Sequence, residues 1–255
     1  MKILVVAKQN EKCIKSADKL KKNLKHEVVF DPLTGKKLNK KSENIDKFDG
    51  DFVITLGGDG TFLWTAQHTD KPILPVRAEG FGYLCSIDFD KLINDVKIIE
   101  KHKITERTRL SVKCKNLNAP DATNEIVFTR QRPSKIINIK IIIDKTRFEF
   151  KGDSILFSTS VGSTAYASSV GGCVIDPNID IINIVPISPF NSKIKPIIVP
   201  IDKKIYAEMD SGIIAIDGQW EKMFTDGKFT IQKGKSLKLI TFEDAFYRKL
   251  KEKLF

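Results

Sequence analysis

The sequence predicts an α/β N-terminal domain built on a Rossmann-like parallel sheet, a predominantly β C-terminal domain, and a last helix that returns to the first. Three observations carry this. Strands and helices alternate up to about residue 100, a glycine-rich turn joins one of those strands to a helix, and short β segments dominate after residue 105. The 255 residues, 41% hydrophobic and 29% charged, suffice for one large core or two modest ones.

Ile3–Ala7 is an apolar run that reads as a buried strand. In the lysine-rich segment after it, Ile14, Ala17, Leu20 and Leu24 recur at helical spacing. Val28–Phe30 is a short strand closed by Asp31-Pro32, and Phe52–Leu56 is a strand running into Gly57-Gly58-Asp59-Gly60-Thr61. Phe62–Ala66 reads as a helix, and Ile73–Val76 as the next strand after Pro72. The β segments that follow are Leu110–Cys114, Glu125–Phe128, Ile136–Ile143, Phe148–Phe150, Ile155–Ser158, Ile181–Val185, Ile197–Val199, Ile205–Glu208, Ile213–Ile216, Phe229–Gln232 and Leu237–Thr241. Glu243–Leu254 is helical by the spacing of Ala245, Phe246, Leu250 and Leu254. The expected domains are residues 1–100, joined by 240–255, and a β-rich domain over 101–240.

Several function classes are excluded early. No stretch approaches the ~20 apolar residues of a membrane span. Charge returns at Lys8, too soon for a signal-peptide core, so a cytoplasmic location is expected. Cys13, Cys85, Cys114 and Cys173 are scattered, and His26, His68 and His102 stand at no metal-ligand spacing from them. Buried reduced thiols are expected, with no zinc site or disulfide framework. The net charge of +11 concentrates in Lys19–Lys25, Lys36–Lys41 and Arg248–Lys253. These runs lack interleaved aromatics and any nucleic-acid-binding signature, so they read as solvated helix faces, with neither nucleic acid nor membrane as partner.

The chemistry is written in two loops. At the carboxyl end of a parallel strand, Gly57-Gly58-Asp59-Gly60-Thr61 faces the crevice where open α/β sheets bind ligands. Its glycines admit a ligand close to the backbone, and helix-start amides hold phosphate oxygens. A Walker loop would need a lysine here, and the dinucleotide fingerprint would need glycine at Leu63. The loop instead carries a carboxylate. A bare carboxylate repels phosphate, so Asp59 must hold a metal, orient a hydroxyl or take its proton.

In the second loop, the strand Ile155–Phe157, preceded by Gly152-Asp153-Ser154, opens into a hydroxyl-rich segment from Ser158 to Ser169. Small hydroxyl residues at a helix start offer donors with little bulk, suited to ribose and phosphate. Tyr166 adds a flat surface for a base or nicotinamide ring.

Together these loops resemble the NAD kinase family. Its Gly-Gly-Asp-Gly-Thr loop, Asn-Glu pair and Ser-Thr-…-Gly-Ser-Thr-Ala-Tyr segment correspond here to Gly57–Thr61, Asn124-Glu125, and Asp153 through Ser158-Thr159 and Gly162–Tyr166 to Gly171-Gly172. Pro186–Pro189, Lys195–Pro200 and Asp217-Gly218-Gln219 also look like the family, and the likeness runs from about residue 50 to the end. It implies transfer of a phosphate from ATP or polyphosphate to the adenosine ribose 2′-hydroxyl of NAD, giving NADP.

On that resemblance Asp59 is the base or the hydroxyl-orienting group, and Gly57, Gly58, Gly60 and Thr61 shape the phosphate path. Asn124 and Glu125 hydrogen-bond NAD at ribose and adenine edges, and Asp153 contacts the nicotinamide end. Ser163, Thr164, Ala165, Tyr166 and Ser169 line the substrate groove, and Tyr83 stands near the adenine. The resemblance also implies Mg²⁺ or another divalent ion on the donor phosphates, and a homodimer or homotetramer. Ser154, Ser160-Val161 and Phe190 depart from the family pattern. Arg77 could contact phosphate or pair with Glu79. Two rival readings are a lipid kinase of the diacylglycerol or sphingosine type, which shares the glycine loop, and a non-catalytic NAD(P)-binding regulator.

Overall fold

The computed structural model describes residues 1–80, 82–191, 193–242 and 246–254, with side chains through Glu252. The chain divides into two units, Met1–Glu106 with Leu237–Phe255, and Arg107–Ser236. Phe81, in the turn expected near Tyr83, and residues 243–245, at the start of the expected last helix, lie outside the described residues.

In the first unit, β1 (Lys2–Ala7) is buried along almost its whole length, as a strand covered on both faces must be. Helix α1 (Glu11–Asn23) starts where the Asn10 side chain accepts the Cys13 amide, and it buries the stripe Cys13, Ala17 and Leu20. After β2 (Glu27–Phe30), the Asp31 side chain caps α2 (Pro32–Leu38), which has proline in its first turn and ends at Asn39 in the left-handed region. Then come β3 (Phe52–Gly57), α3 (Asp59–Ala66), β4 (Ile73–Arg77), β5 (Ile87–Asp88), α4 (Phe89–Asn94) and β6 (Lys103–Arg107).

The second unit is a nine-stranded sheet in which every pairing is antiparallel. Its strands are β7 (Leu110–Lys113), β8 (Glu125–Thr129), β9 (Ile137–Ile143), β10 (Thr146–Gly152), β11 (Ser154–Ser158), β12 (Ile181–Ile187), β13 (Ile197–Pro200), β14 (Ile205–Ile216) and β15 (Trp220–Lys233), with the short helix α5 (Tyr166–Ser169) after β11. The order is β10-β9-β14-β8-β11-β12-β13, and β15 joins β14 to β7. Phe128, fully buried, packs edge-on against Phe157 and Phe224 and tilts on Phe229 in its core.

The chain then re-enters the first unit with β16 (Leu237–Thr241) and α6 (Phe246–Leu254), completing a seven-stranded sheet of order β2-β1-β3-β4-β16-β6 with β5 beside β4. Thus the α/β-plus-β class holds. Four details differ from the sequence reading. Leu237–Thr241 pairs in parallel with β4 rather than joining the β domain. Ile205–Glu208 and Ile213–Ile216 are one strand, because Ser211 and Gly212 stay paired with Thr225 and Phe224. The expected Phe229–Gln232 extends back to Trp220. Helix α3 begins at Asp59, not Phe62, which puts the carboxylate in its first turn. All four cysteines are free thiols, but only Cys13 and Cys85 are buried, and Cys173 is exposed.

Candidate active site

In the first unit, β3 is buried throughout and delivers Gly57 to the carboxyl end of a parallel strand flanked by β1 and β4. A β-carbon at Gly57 would stand 2.4 Å from Thr61 Oγ1, so any side chain there would displace Thr61 from the first turn of α3. Gly58 is the N-cap, Gly60 is exposed and Thr61 is half-buried in the first turn. The Asp59 carboxylate accepts the Tyr83 amide at 2.9 Å on Oδ2 and the Leu84 amide at 2.8 Å on Oδ1. Two amides, one on each oxygen, fix the plane of the carboxylate. The Tyr83 ring is buried, edge-on to Phe246 at 6.4 Å.

Arg77 and Glu79 are not partners. Arg77 forks onto Asp88, and Glu79 accepts Lys8 Nζ at 2.5 Å and Asn10 Nδ2 at 2.6 Å. The Cys85 thiol, pushed up to about 12 by burial and by the Asp59 charge, stays neutral and is no nucleophile at physiological pH.

In the second unit, Asn124 and Glu125 are buried at the start of β8, and their backbone is held by a residue not among the expected ligands. The buried Asp217 carboxylate accepts the amides of Thr123 at 2.8 Å, Asn124 at 2.7 Å and Glu125 at 3.1 Å. The hydroxyl segment docks on the same turn. Thr159 donates its amide to the Asn124 carbonyl at 2.9 Å and its hydroxyl to the Thr123 carbonyl at 2.6 Å. A β-carbon on Gly162 would fall 2.0 Å from the Asn124 carbonyl oxygen, so glycine is required for this approach.

The expected groove residues differ in what they offer. Ser163 is fully buried, with its hydroxyl bonded to Ser160 and Ile175, so it braces the loop. Thr164 is buried, Ala165 half-buried, and Tyr166 and Ser169 exposed. Asp153 precedes β11 while Ser158 ends it, a separation of roughly 16 Å along the strand. Its carboxylate pairs with Arg130 at 2.9 Å, so it does not join the Asn124 group.

Cross-strand pairing sets Glu125, Ser158 and Asn183 side by side on β8, β11 and β12. Among the described residues, Glu125 Oε2, Ser158 Oγ, Asn183 Oδ1 and Asn124 Oδ1 are buried polar atoms with no hydrogen-bond partner. Buried polar atoms are rarely left so, and such a row marks the face built to meet a polar ligand. Asn183 was not foreseen. Its one signal is an amide side chain inside the apolar run Ile181–Val185.

Burial, aided by the Asp217 charge and opposed by the Tyr166 amide, pushes the Glu125 carboxyl up to about 8. At neutral pH Glu125 is therefore protonated, able to donate one hydrogen bond and accept others. Because the folded pKa is raised, the unfolded state releases its proton first, and stability falls as pH rises from about 4.5 to about 8. Glu125→Gln is expected to match the wild type at pH 4.5 and to exceed it by about 3 kcal/mol at pH 7. Urea unfolding of both proteins across that range checks this, and parallel pH profiles would refute it.

Among the described residues no group of three or more His, Cys, Asp or Glu side chains is placed to hold a metal ion. No helix among them is long and apolar enough to cross a membrane.

Residues 3–104 match the family model for the ATP-NAD kinase N-terminal domain, and residues 123–241 match that for the ATP-NAD kinase C-terminal domain. The chain is 31% identical to an NAD kinase of Thermoplasma acidophilum, over 100% of this chain and 98% of the relative. It is 33% identical to an NAD kinase of Methanothermobacter thermautotrophicus, over 85% of this chain and 81% of the relative. Among solved structures, an NAD kinase from Archaeoglobus fulgidus in complex with ATP superposes with a TM-score of 0.83 at 29% identity, covering 99% of this chain and 98% of that one. A yeast NADH kinase complexed with NADH shares the fold, with a TM-score of 0.87 at 22% identity over 99% of this chain and 86% of that one.

Proposed function

The chain belongs to the NAD kinase family, whose members phosphorylate NAD to NADP, and we propose that Asp59 is the carboxylate on which this chain's turnover depends. The acceptor is the 2′-hydroxyl of the adenosine ribose. Its oxygen attacks the terminal phosphorus of the donor, the bond from that phosphorus to the bridging oxygen breaks with its electron pair staying on the departing, shortened donor, and the hydroxyl proton passes to the Asp59 carboxylate or to solvent. Such a transfer needs little covalent help from the protein; positioning and charge stabilisation supply most of the rate.

The observation that carries this reading is the amide-locked Asp59 at the end of β3, on the first turn of α3. A carboxylate held in a fixed plane can align a hydroxyl or take its proton. Gly57, Gly58, Gly60 and Thr61 keep the backbone beside it open to phosphate. In the second unit, the unpartnered Asn124 Oδ1 accepts from a ribose hydroxyl or an exocyclic amine, and protonated Glu125 donates to an acceptor of the nucleotide. A neutral Glu125 adds no negative charge beside an anionic dinucleotide.

ATP is the donor favoured by the Archaeoglobus relative's complex, with polyphosphate as the competing arm of the test. The described residues do not fit a resident metal cage, so Mg²⁺ would arrive on the donor's phosphate oxygens as part of that substrate.

The test is NADP formation by the purified protein from NAD with MgATP or with polyphosphate. In the same assay, Asn124→Ala is expected to raise the KM for NAD about tenfold and leave the donor KM within about twofold, as loss of a buried hydrogen bond predicts. An unchanged KM for NAD would remove Asn124 from the nucleotide site.

A further inference from the structure

We propose that Lys249, on α6, is a positioning residue for Asp59, acting through the strap Tyr83–Cys85 that holds the Asp59 carboxylate. The inference rests on the reading of Asp59 given above.

The strap is gripped from two sides. Its amides at Tyr83 and Leu84 donate to Asp59, and its carbonyls at Tyr83 and Cys85 accept Lys249 Nζ at 3.0 and 2.5 Å. The Tyr83 carbonyl and the Leu84 amide belong to one peptide group. The ammonium therefore pulls on the oxygen of the same planar unit whose N–H points at Asp59 Oδ1. Hydrogen bonds in series through a peptide polarise one another, so a cation on the carbonyl makes the amide a stronger donor. It also holds the strap against the small rotations that would turn both amides away from the carboxylate.

The surroundings give this contact weight. Lys249 is half-buried, while Tyr247, Arg248, Lys251 and Glu252 on the same helix are exposed. Burial lowers its pKa from the ordinary lysine value, and the Asp59 charge opposes that shift. It lines a cavity of about 240 Å³ with Arg77, Asp88, Arg248 and Phe242. Arg77 is already forked onto Asp88 there, and the Cys85 thiol is neutral, so the carbonyls of the strap are the acceptors that Lys249 meets. The Tyr83–Phe246 ring contact seats the same helix one turn earlier. A lysine that served only solubility would extend into water; this one is turned inward onto two carbonyls.

The test compares Lys249→Met, Lys249→Gln and Lys249→Arg with Asp59→Asn and wild type in the full-length chain. The readouts are kcat, the KM for NAD and for the donor, and the melting temperature. Lys249→Met is expected to lower kcat about tenfold to a hundredfold, as loss of charge-assisted hydrogen bonds predicts, with both KM values within about twofold. Lys249→Arg, which restores the cation, is expected to recover much of that loss. Lys249→Gln, which can donate without charge, should lie between, and it stands in if the methionine variant fails to fold.

Wild-type kcat in Lys249→Met and Lys249→Gln, with Asp59→Asn inactive, would overturn the inference and leave the reading of Asp59 standing. The same result follows if the arginine variant is no better than methionine and activity tracks the folded fraction, because Lys249 would then be scaffold alone. Wild-type turnover in Asp59→Asn would overturn the reading of Asp59 and the inference with it.

Discussion

Asp59→Asn is expected to lower kcat by about 10²–10⁴-fold, the range over which a positioned proton acceptor contributes. The substitution keeps side-chain shape and changes charge. It also replaces one carboxylate oxygen by an N–H donor facing the amide of Tyr83 or Leu84, so one of these amide bonds is lost. That loss should cost about 1–3 kcal/mol of stability, visible as a fall of several degrees in melting temperature. The protein therefore stays folded while turnover collapses. The KM for NAD should change little, because the acceptor's own contacts are assigned to Asn124 and Glu125. Steady-state kinetics with a melting curve on the same preparation separates the effects. Turnover within about threefold of wild type would remove the carboxylate from the chemistry.

Asp217→Asn is expected to have the second-largest effect, on stability and NAD binding together. Asp217 sits at φ 53°, a left-handed position that asparagine tolerates as well as aspartate, so the backbone is not strained by the change. The loss is electrostatic. Oδ1 accepts the Asn124 and Glu125 amides and Oδ2 accepts Thr123, so whichever way the new amide turns, at least one N–H faces another N–H. Hydrogen bonds to a charged group are strong and a buried donor without an acceptor is penalised, which together predict a loss of about 2–4 kcal/mol.

Losing the Asp217 charge also removes one of the two causes that raise the Glu125 pKa, so the stability decline between pH 4.5 and 8 should flatten. With the turn released, the KM for NAD should rise more than in Asn124→Ala. Urea denaturation at two pH values and a titration of NAD in the assay measure both. Unchanged stability together with an unchanged KM would show that the amide cradle organises nothing.

These expectations lean on features of unequal legibility. The glycine-rich turn was readable because its causes are local: a strand buried on both faces, glycines where a β-carbon would collide, and a helix that follows at once. What grips Asp59 was not readable, since the Tyr83 and Leu84 amides lie 24 and 25 residues further along the chain. Backbone amides carry no residue-specific signal. Lys249 was hidden for a related reason: within Arg248–Lys253 it looks like any solvated lysine, and only the docking of α6 turns it inward. Asn183 did carry a signal, an amide among isoleucines and valine within one strand.

The class of fold, most of the strands, the glycine turn and the family could be read from the amino-acid order, because periodicity, turn chemistry and motif order all lie along the chain. Which sheet each strand joins became visible only in the folded chain. Leu237–Thr241 alternates like a member of the β domain, yet it hydrogen-bonds beside β4, since a strand's partner is chosen by side chains distant in sequence. The tertiary structure also decided protonation: nothing in the letters Asn-Glu distinguishes a solvated glutamate from one buried against Asp217, and that surrounding dielectric and charge make it a neutral acid at pH 7.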